Sequence, residues 1–247
     1  MTTEDARDFL KDTIRRQIDF SQTDQSRGVP PPPIEKPGAP SAPRIDLPAP
    51  EAWSIPSVDI MTAIARRQSH RRFGGDALSL DELAFLLWAT QGIRDYRSEH
   101  VAFRTVPSAG CRHAFETYLW LMRVSNVEPG CYRYLPQEHQ LLLEFQQDEM
   151  EEDISQAVLG QRFAGEAAVT FVWTALPYRM EWRYGAASAK VIALDAGHVC
   201  QNLYIACEAI GAGTCAIAAY NQDACDELLR LDGTDEFVIY LAPVGKV

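Results

Sequence analysis

A proline-rich segment, residues 28–50 (GVPPPPIEKPGAPSAPRIDLPAP), places the strongest constraint on how this chain can fold. It contains nine of the 15 prolines in the sequence of 247 residues. Proline holds φ at about −65° and has no amide hydrogen, so the segment cannot form a helix or an interior strand. It is either a linker or an arm that wraps over the body of the protein or over a partner subunit. We favour the arm, because an amphipathic helix is predicted before it and needs a surface to dock on.

This proline arm divides the sequence into an N-terminal part, residues 1–52, and a domain at residues 53–247. The N-terminal part is predicted to be a helix at residues 4–20 followed by the arm. That helix would carry an apolar stripe made of Phe9, Leu10, Ile14 and Ile18. The charged N-terminus lacks the apolar core of a secretory signal, and no apolar run reaches the roughly 18 residues that a membrane-spanning helix needs. We therefore expect a cytoplasmic protein.

The charge balance and the cysteines narrow the possible partners. The formal net charge is −11 and the pI is about 4.9, which argues against nucleic acid and anionic membranes as partners. None of the six cysteines lies in a C-x-x-C pair, and reduced thiols are expected in so large a chain without a secretion signal. Cys111 with His113, and His198 with Cys200, could offer four zinc ligands. Residues two apart on a helix point about 200° apart, so no metal site is predicted.

Hydrophobic periodicity predicts an α+β domain at residues 53–247, with a central mixed or antiparallel sheet flanked by helices. Helices are expected at residues 57–67, 79–92, 148–160, 188–211 and 222–230. Strands are expected at residues 116–125, 131–135, 139–145, 167–176, 214–220 and 236–245. Ser79 and Glu82 form a capping-box pattern at the start of one helix. The 188–211 helix is apolar on most sides, which is typical of a buried helix or of one at a subunit interface.

The segment RRQSHRRFGG, residues 66–75, concentrates positive charge in an acidic protein. It allows three interpretations: a solvated helix end, a patch for an acidic or nucleic-acid partner, and a phosphate-binding site. In an extended conformation, Arg67, Ser69 and Arg71 would project from the same side, so two guanidinium groups and a hydroxyl could converge on one phosphate. The sequence has no G-x-S-x-G, P-loop or G-x-G-x-x-G motif that would indicate another common type of active site.

Five motifs follow one another in a fixed order along the domain. They are RRQSHRRF, LSLDELAFLLWATQGI, RTVPSAGCRHAFETYL, PGCYRY followed by EHQLL, and DAGHVCQNLYIACEAIGAGTCAIAAY. Each motif alone is weak, but in this order they resemble the nitroreductase superfamily, and within it the SagB-type dehydrogenase branch. The resemblance covers residues 53–245, which is nearly all of the domain.

The resemblance implies an FMN flavoprotein that is a homodimer, with each flavin at the subunit interface. The three polar residues at 67, 69 and 71 match the R-x-S-x-R motif, which binds the FMN phosphate, the ribityl chain and the pyrimidine edge. Residues 107–110 match a P-S-A-G loop that in relatives reaches the flavin from the other chain. The complete set of implied cofactor-binding residues is Arg67, Gln68, Ser69, Arg71, Pro107, Ser108, Ala109, Gly110, Gln161, Gly213, Ala218, Ala219 and Lys246.

Further positions in this set have roles implied by the same resemblance. Gln161 matches a position that bonds the flavin ring. Ala218 and Ala219 match a strand end whose backbone N–H faces flavin N5. Gly211 and Gly213 would let the backbone turn closely at that place.

Two candidate catalytic residues come from the same comparison of motifs. Azoline-oxidising members of the branch carry a Lys-Tyr pair at about the position of Arg183 and Tyr184. Arginine stays protonated and is a poor general base, whereas a tyrosine can donate a proton. Arg183 is equally compatible with an ion pair at the surface or at an interface.

The implied activity is hydride transfer through flavin N5 between NAD(P)H, or O2, and a small organic substrate. Three alternatives stay open. The protein could be a SagB-type dehydrogenase of an azoline or another heterocycle on a peptide. It could be a flavin-binding protein without turnover, or a partner-binding module with the proline arm as ligand.

Overall fold

The central element of the fold is a seven-stranded antiparallel sheet. The computed structural model describes residues 2–247, and the strands in that range are β1 (Arg44–Asp46), β2 (Ile93–Ser98), β3 (Val101–Arg104), β4 (Phe115–Leu121), β5 (Gly130–Leu135), β6 (Gln140–Phe145), β7 (Val169–Ala175), β8 (Ala212–Thr214) and β9 (Phe237–Lys246). The sheet order is β1-β6-β5-β4-β7-β9-β8, and every neighbouring pair is antiparallel. The other two strands, β2 and β3, form a separate hairpin. The predicted meander of three strands is confirmed as β4, β5 and β6.

Helices cover both faces of this sheet. Those in the described residues are α1 (Thr3–Asp8), α2 (Ile60–Arg66), α3 (Leu80–Gln91), α4 (Met150–Ala157), α5 (Tyr178–Tyr184), α6 (Ser188–Ala209) and α7 (Gln222–Leu228). α3 and α6 contribute to the core on one face, and α4 and α7 to the core on the other. β7 is buried along its whole length because successive residues face opposite cores: Phe171 lies in the first and Val172 in the second. The predicted α+β class is confirmed.

The α3 helix begins and ends where the sequence predicts. The Glu82 N–H donates to Ser79 Oγ at 3.2 Å, and the Ser79 N–H donates to the Glu82 carboxylate at 2.9 Å. This reciprocal pair satisfies two N–H groups that the first helical turn leaves without partners. The helix ends before Gly92, where an added Cβ would lie 2.7 Å from the Trp88 carbonyl oxygen. Any larger residue there would force the backbone to move.

The predicted helix at residues 4–20 is wrong. α1 ends at Asp8, and the chain continues through short 3-10 turns that include Thr13–Gln17. A helix of fewer than about 12 residues is marginal in water unless one of its faces packs against the body of a protein. Phe9 and Leu10 remain 49% and 68% exposed, so the apolar stripe has no packing that would extend the helix.

The predicted strand at residues 214–220 is also wrong. β8 stops at Thr214, and beyond it Ile217 forms only an isolated bridge to β9. The Ala216 N–H donates to the Tyr204 hydroxyl at 2.9 Å and is therefore not available to a neighbouring strand. The sequence also gives no indication of the β2–β3 hairpin, because β2 is mostly polar and exposed.

The proline arm lies along the body of its own chain. Its residues 44–46 form the edge strand β1, which pairs with β6. Buried arginines of the body donate to carbonyl oxygens of the arm: Arg104 to Ile34 at 2.8 Å, and Arg133 to Lys36 at 2.7 Å. Prolines leave the arm rich in acceptors and poor in N–H donors, so side-chain donors from the body complete its hydrogen bonds. These contacts favour the arm over the linker.

Candidate functional site

The R-x-S-x-R segment, residues 67–71, is extended and lies beside β8. Ser69 forms a parallel bridge with Thr214, and the His70 N–H donates to the carbonyl of the same threonine at 2.9 Å. Alternate residues of an extended segment project from the same side. The two arginines and the serine of the motif therefore share one side of the backbone.

Tyr204 on α6 anchors this side of the segment. The Ser69 and Tyr204 hydroxyls are 3.0 Å apart and hydrogen-bonded, and the Arg67 guanidinium lies over the tyrosine ring, 5.4 Å from its centroid. The tyrosine hydroxyl also accepts the Ala216 N–H, which ties the loop after β8 to the same point. Sequence reasoning missed Tyr204, because it is 135 positions from Ser69 and no local pattern links the two.

Two glycines let the segment approach β8 closely. A Cβ on Gly213 would lie 2.6 Å from the His70 ring, so only glycine leaves room for that histidine. Gly211, which follows α6, has a φ of +59°, in the left-handed region that glycine adopts without strain. Both glycines thus shape the turn from α6 into β8, against which the R-x-S-x-R segment packs.

The arginines of the segment have no acidic partner within residues 2–247. The ion pairs of the described residues involve other arginines, and neither Arg67 nor Arg71 forms one. Arg71 and Ser69 are exposed, and Arg67 is half-buried. Two guanidinium groups and a hydroxyl, without internal acceptors for the cations, fit the oxygens of a phosphate ester, which accept charge-assisted hydrogen bonds.

Two further residues implied as cofactor-binding are Gln68, inside this segment, and Lys246, near the chain that follows it. Gln68 is exposed. The Lys246 ammonium donates to the Glu82 carboxylate at 2.5 Å and to the Ile210 carbonyl at 2.6 Å, so its charge is paired within the body of the protein. Its main-chain carbonyl accepts the Gly74 N–H at 2.7 Å. The structure thus places Lys246 between the C-terminal end of α6 and Gly74, which follows the segment.

The P-S-A-G loop, residues 107–110, is held by a buried carboxylate of α6. The Ala109 N–H donates to Asp195 Oδ2 at 3.3 Å, and the His113 N–H donates to Ser108 Oγ at 3.0 Å. Burial raises the pKa of the Asp195 carboxyl above its ordinary value. Hydrogen bonds from the Ser108 hydroxyl and the Ala109 N–H offset part of this rise. Asp195 therefore sets the position of the loop.

The candidate catalytic pair lies against this same loop. Gly110 has a φ of +59°, and an added Cβ would lie 2.7 Å from the Tyr184 hydroxyl and 2.9 Å from Arg183 Nε. The structure therefore brings Arg183 and Tyr184, at the end of α5, together with the P-S-A-G loop. Both side chains are half-buried, and the arginine lies over the tyrosine ring at 5.6 Å.

The remaining implied residues form a third group. The Gln161 side-chain amide donates to the Ala219 carbonyl at 2.8 Å and to the Val158 carbonyl at 2.9 Å. Ala218 and Ala219 are exposed. The glutamine therefore fixes the loop that carries these two small residues and leaves the space in front of them open.

Within one chain, the R-x-S-x-R segment and the P-S-A-G loop are held apart. The first is anchored on Tyr204 and the second on Asp195, nine positions earlier on α6. An α-helix rises 1.5 Å per residue, so the two anchors are roughly 14 Å apart along the helix. The exposed stripe of α6 is made of Ala193, Leu194, Gly197, His198 and Gln201, and the last three lie between the two anchors.

Two kinds of feature are absent from the part of the chain that the structure describes. Residues 2–247 contain no helix with the length and apolar character needed to cross a membrane. The same residues contain no group of three or more His, Cys, Asp or Glu side chains arranged to hold a metal ion.

Sequence comparison relates the domain to known proteins. The sequence model of the nitroreductase family matches residues 64–246. A predicted nitroreductase of Methanocaldococcus jannaschii is 30% identical over 192 residues, which are 78% of this chain and 93% of the relative.

Solved structures share the fold. A predicted nitroreductase from Ralstonia eutropha has a TM-score of 0.68 and 27% identity over 88% of this chain and 98% of its own. Another from Anabaena variabilis has a TM-score of 0.68 and 24% identity over 84% of this chain. The match spans only 42% of that longer chain. A chain of the E. coli microcin synthetase McbBCD complex, bound to truncated pro-MccB17, has a TM-score of 0.61 and 18% identity, with 81% of this chain and 76% of that chain covered.

Proposed function

The chain belongs to the nitroreductase family, whose members are flavin-dependent oxidoreductases, and from that premise we propose an FMN-dependent enzyme. It transfers hydride between NAD(P)H, or O2 as oxidant, and a small organic substrate. The observation that carries this proposal is the donor set of the R-x-S-x-R segment: one hydroxyl and two guanidinium groups without acidic partners in residues 2–247, with Arg67 and Ser69 held by Tyr204.

Each residue of that set has a physical role toward FMN. Arg67 and Ser69 would bind the terminal phosphate, with Tyr204 holding both in position before the ligand arrives. Arg71 would place a positive charge where the reduced ring carries negative charge, and so favour reduction. When bound, FMN would supply the redox chemistry by accepting and donating hydride.

A second copy of the chain would complete the site. The R-x-S-x-R segment and the P-S-A-G loop are anchored roughly 14 Å apart on α6, and the exposed α6 stripe, which includes Leu194, runs from just before the Asp195 anchor toward Tyr204. Two chains that pack these stripes together would bring the loop of one toward the segment of the other. Leu194 is 56% exposed in the single chain, which supports a partner on this face.

We expect the purified protein to bind FMN in preference to FAD. A single cluster of phosphate donors suits a mononucleotide, and the sequence has no dinucleotide-binding glycine motif. Heat release followed by chromatography should identify the bound flavin as FMN. Recovery of FAD, or of no flavin after reconstitution, would contradict the proposal.

Turnover separates the enzyme from a flavin-binding protein without activity. Under anaerobic conditions, NADH or NADPH should bleach the flavin bands, and an electron acceptor should restore them. A flavin-loaded protein whose absorption bands change neither with NAD(P)H nor with an electron acceptor would support the non-catalytic alternative.

We also expect the native mass to be twice the chain mass of 27.6 kDa, with flavin retention linked to dimerisation. A ligand that contacts both chains stabilises only the assembled state. Leu194→Glu should shift sedimentation toward the monomer and release flavin, because it places a charge in the α6 stripe. Leu159→Glu, at another exposed leucine, is the control and should stay dimeric. A flavin-loaded, active monomer would exclude the two-chain site.

One observation favours a second candidate, a dehydrogenase of heterocycles on a peptide. Tyr184 lies against the P-S-A-G loop, where a proton donor would meet a bound substrate. The fold is shared with the McbBCD chain. Arg183 is a poor base, so Tyr184 would have to act without a lysine neighbour. Azoline-containing peptides test this candidate, because oxidation of the ring to an azole lowers the mass by about two daltons. A thiazole-containing peptide is already oxidised and is the control that should not change mass.

A further inference from the structure

Two arginines next to the P-S-A-G loop lack any acidic partner in residues 2–247. The Arg183 side chain forms no hydrogen bond or ion pair with a described residue. Arg112 is only 6% exposed, and its side chain donates one hydrogen bond, from Nη2 to the His100 carbonyl at 2.9 Å. Its Nε is buried without a partner. A buried guanidinium N–H without an acceptor costs free energy, so an unpaired one calls for an explanation.

The two positive charges are close enough to act on each other. Burial lowers the pKa of Arg112, and the charge of Arg183 lowers it further. Cys111 and Tyr184 act in the opposite direction and raise the pKa of Arg112, and no carboxylate contributes to that rise. In an acidic chain, two neighbouring guanidinium groups without a carboxylate form a local positive field that an anion would stabilise.

Aromatic rings hold both groups in fixed orientations. The Arg112 guanidinium lies 5.1 Å from the centroid of the Trp182 ring, and that of Arg183 lies 5.6 Å from the Tyr184 ring. A guanidinium group held against an aromatic ring loses less side-chain entropy when it binds an anion.

The arrangement has an accessible side. Arg183 and Tyr184 are half-buried, and both lie against the exposed Gly110 of the loop. A group that binds Arg183 would therefore lie beside the P-S-A-G loop, and the charge of the buried Arg112 would act on it as well. The Tyr184 hydroxyl offers a further hydrogen-bond donor at the same place.

We propose that Arg183 and Arg112 form a subsite for a carboxylate of the substrate, with Arg183 in direct contact and Arg112 as the supporting charge. This inference rests on the proposed function, because it assigns that enzyme a substrate class: small reducible molecules that carry a carboxylate. The planar fork of a guanidinium matches the two oxygens of a carboxylate.

The test compares two acceptors that differ in charge and little in shape, 4-nitrobenzoate and 4-nitrobenzamide. Photoreduced holoenzyme is mixed with each, and the half-saturating concentration for flavin reoxidation is measured. The wild-type protein should be saturated by the anion at a concentration at least tenfold lower. Arg183→Gln should bring the ratio of the two concentrations close to one, a change of about ten- to a hundredfold. Any general effect on rate cancels in this ratio.

Further variants separate a binding role from a structural one. Arg183→Lys should keep part of the preference for the anion, because it retains the charge without the fork. Arg112→Gln should reduce the preference by a smaller factor than Arg183→Gln. Arg44→Gln, at an exposed arginine of the edge strand, is the matched control and should keep the wild-type ratio.

Three results would overturn the proposal. The first is an equal preference for both acceptors in the wild-type protein. The second is an unchanged ratio in Arg183→Gln. The third is dissociation of the dimer by Arg183→Gln, which would assign this arginine to a carboxylate of a second copy.

A binding measurement keeps this inference separate from the proposed activity. Trp182 lies beneath Arg112, so its fluorescence should respond to benzoate and not to benzamide, whether or not the protein turns over. A benzoate response that Arg183→Gln abolishes, in a protein that reduces neither nitro compound, would keep the subsite and refute the enzyme. Reduction of both compounds without any benzoate response would keep the enzyme and refute the subsite.

Discussion

Replacing Arg67 with alanine is expected to weaken FMN binding by about ten- to a hundredfold. A charge-assisted hydrogen bond to phosphate contributes about 1.5–3 kcal/mol, and each 1.4 kcal/mol corresponds to a factor of ten in affinity. Arg67 is held over the Tyr204 ring next to Ser69, so its charge is already oriented when the ligand arrives. Fluorescence titration of the apoprotein with FMN measures the change.

Riboflavin, which lacks the phosphate, is the ligand control for this prediction. Arg67→Ala should change riboflavin affinity far less than FMN affinity, because the lost contact is to the phosphate. Arg66→Ala is the protein control, since Arg66 is the exposed last residue of α2. Equal FMN affinity in Arg67→Ala and the wild-type protein would assign the arginine to a solvated helix end.

Replacing Glu116 with glutamine is expected to lower the free energy of unfolding by about 3–5 kcal/mol, the cost of leaving buried charge without its partner. The Glu116 carboxylate is 3.4 Å from Arg133 Nη1, and it also accepts a hydrogen bond from Arg179 Nη2. All three side chains are at most 4% exposed. The same carboxylate accepts the Lys36 N–H of the proline arm at 2.8 Å. Glutamine keeps the shape and removes the charge that two buried arginines need.

Urea denaturation at a fixed protein concentration measures this loss, which corresponds to a decrease in Tm of roughly 6–20 °C. Glu144→Gln is the control. Glu144 pairs with the same Arg133 at 2.7 Å, but its side chain is 29% exposed, so the cost should be smaller. Limited proteolysis between residues 28 and 43 should also become faster in Glu116→Gln, because the arm loses one of its anchors. Equal stability of the two variants would show that this buried cluster does not hold the arm.

Much of the fold could be predicted from local sequence. The capping box at Ser79 and Glu82, the meander β4–β6 and the apolar β7 each have a signal within a few neighbouring residues. The helix at residues 4–20 has a comparable signal and still fails, because Phe9, Leu10 and Ile14 of its stripe stay exposed. Hydrophobic periodicity indicates which face of a helix is apolar, but it does not indicate whether another element packs against that face.

For the candidate site, the sequence by itself determined which donors are present and that the two arginines and the serine of the R-x-S-x-R segment alternate. The tertiary structure decided which side chains hold these donors in position. Tyr204 and Asp195, on the same helix, position the segment and the P-S-A-G loop. Arg183 and Tyr184 meet Gly110 across more than seventy positions of sequence. These contacts depend on how α5 and α6 pack in the folded chain. A local sequence pattern cannot encode them, because the residues that meet are far apart in the sequence.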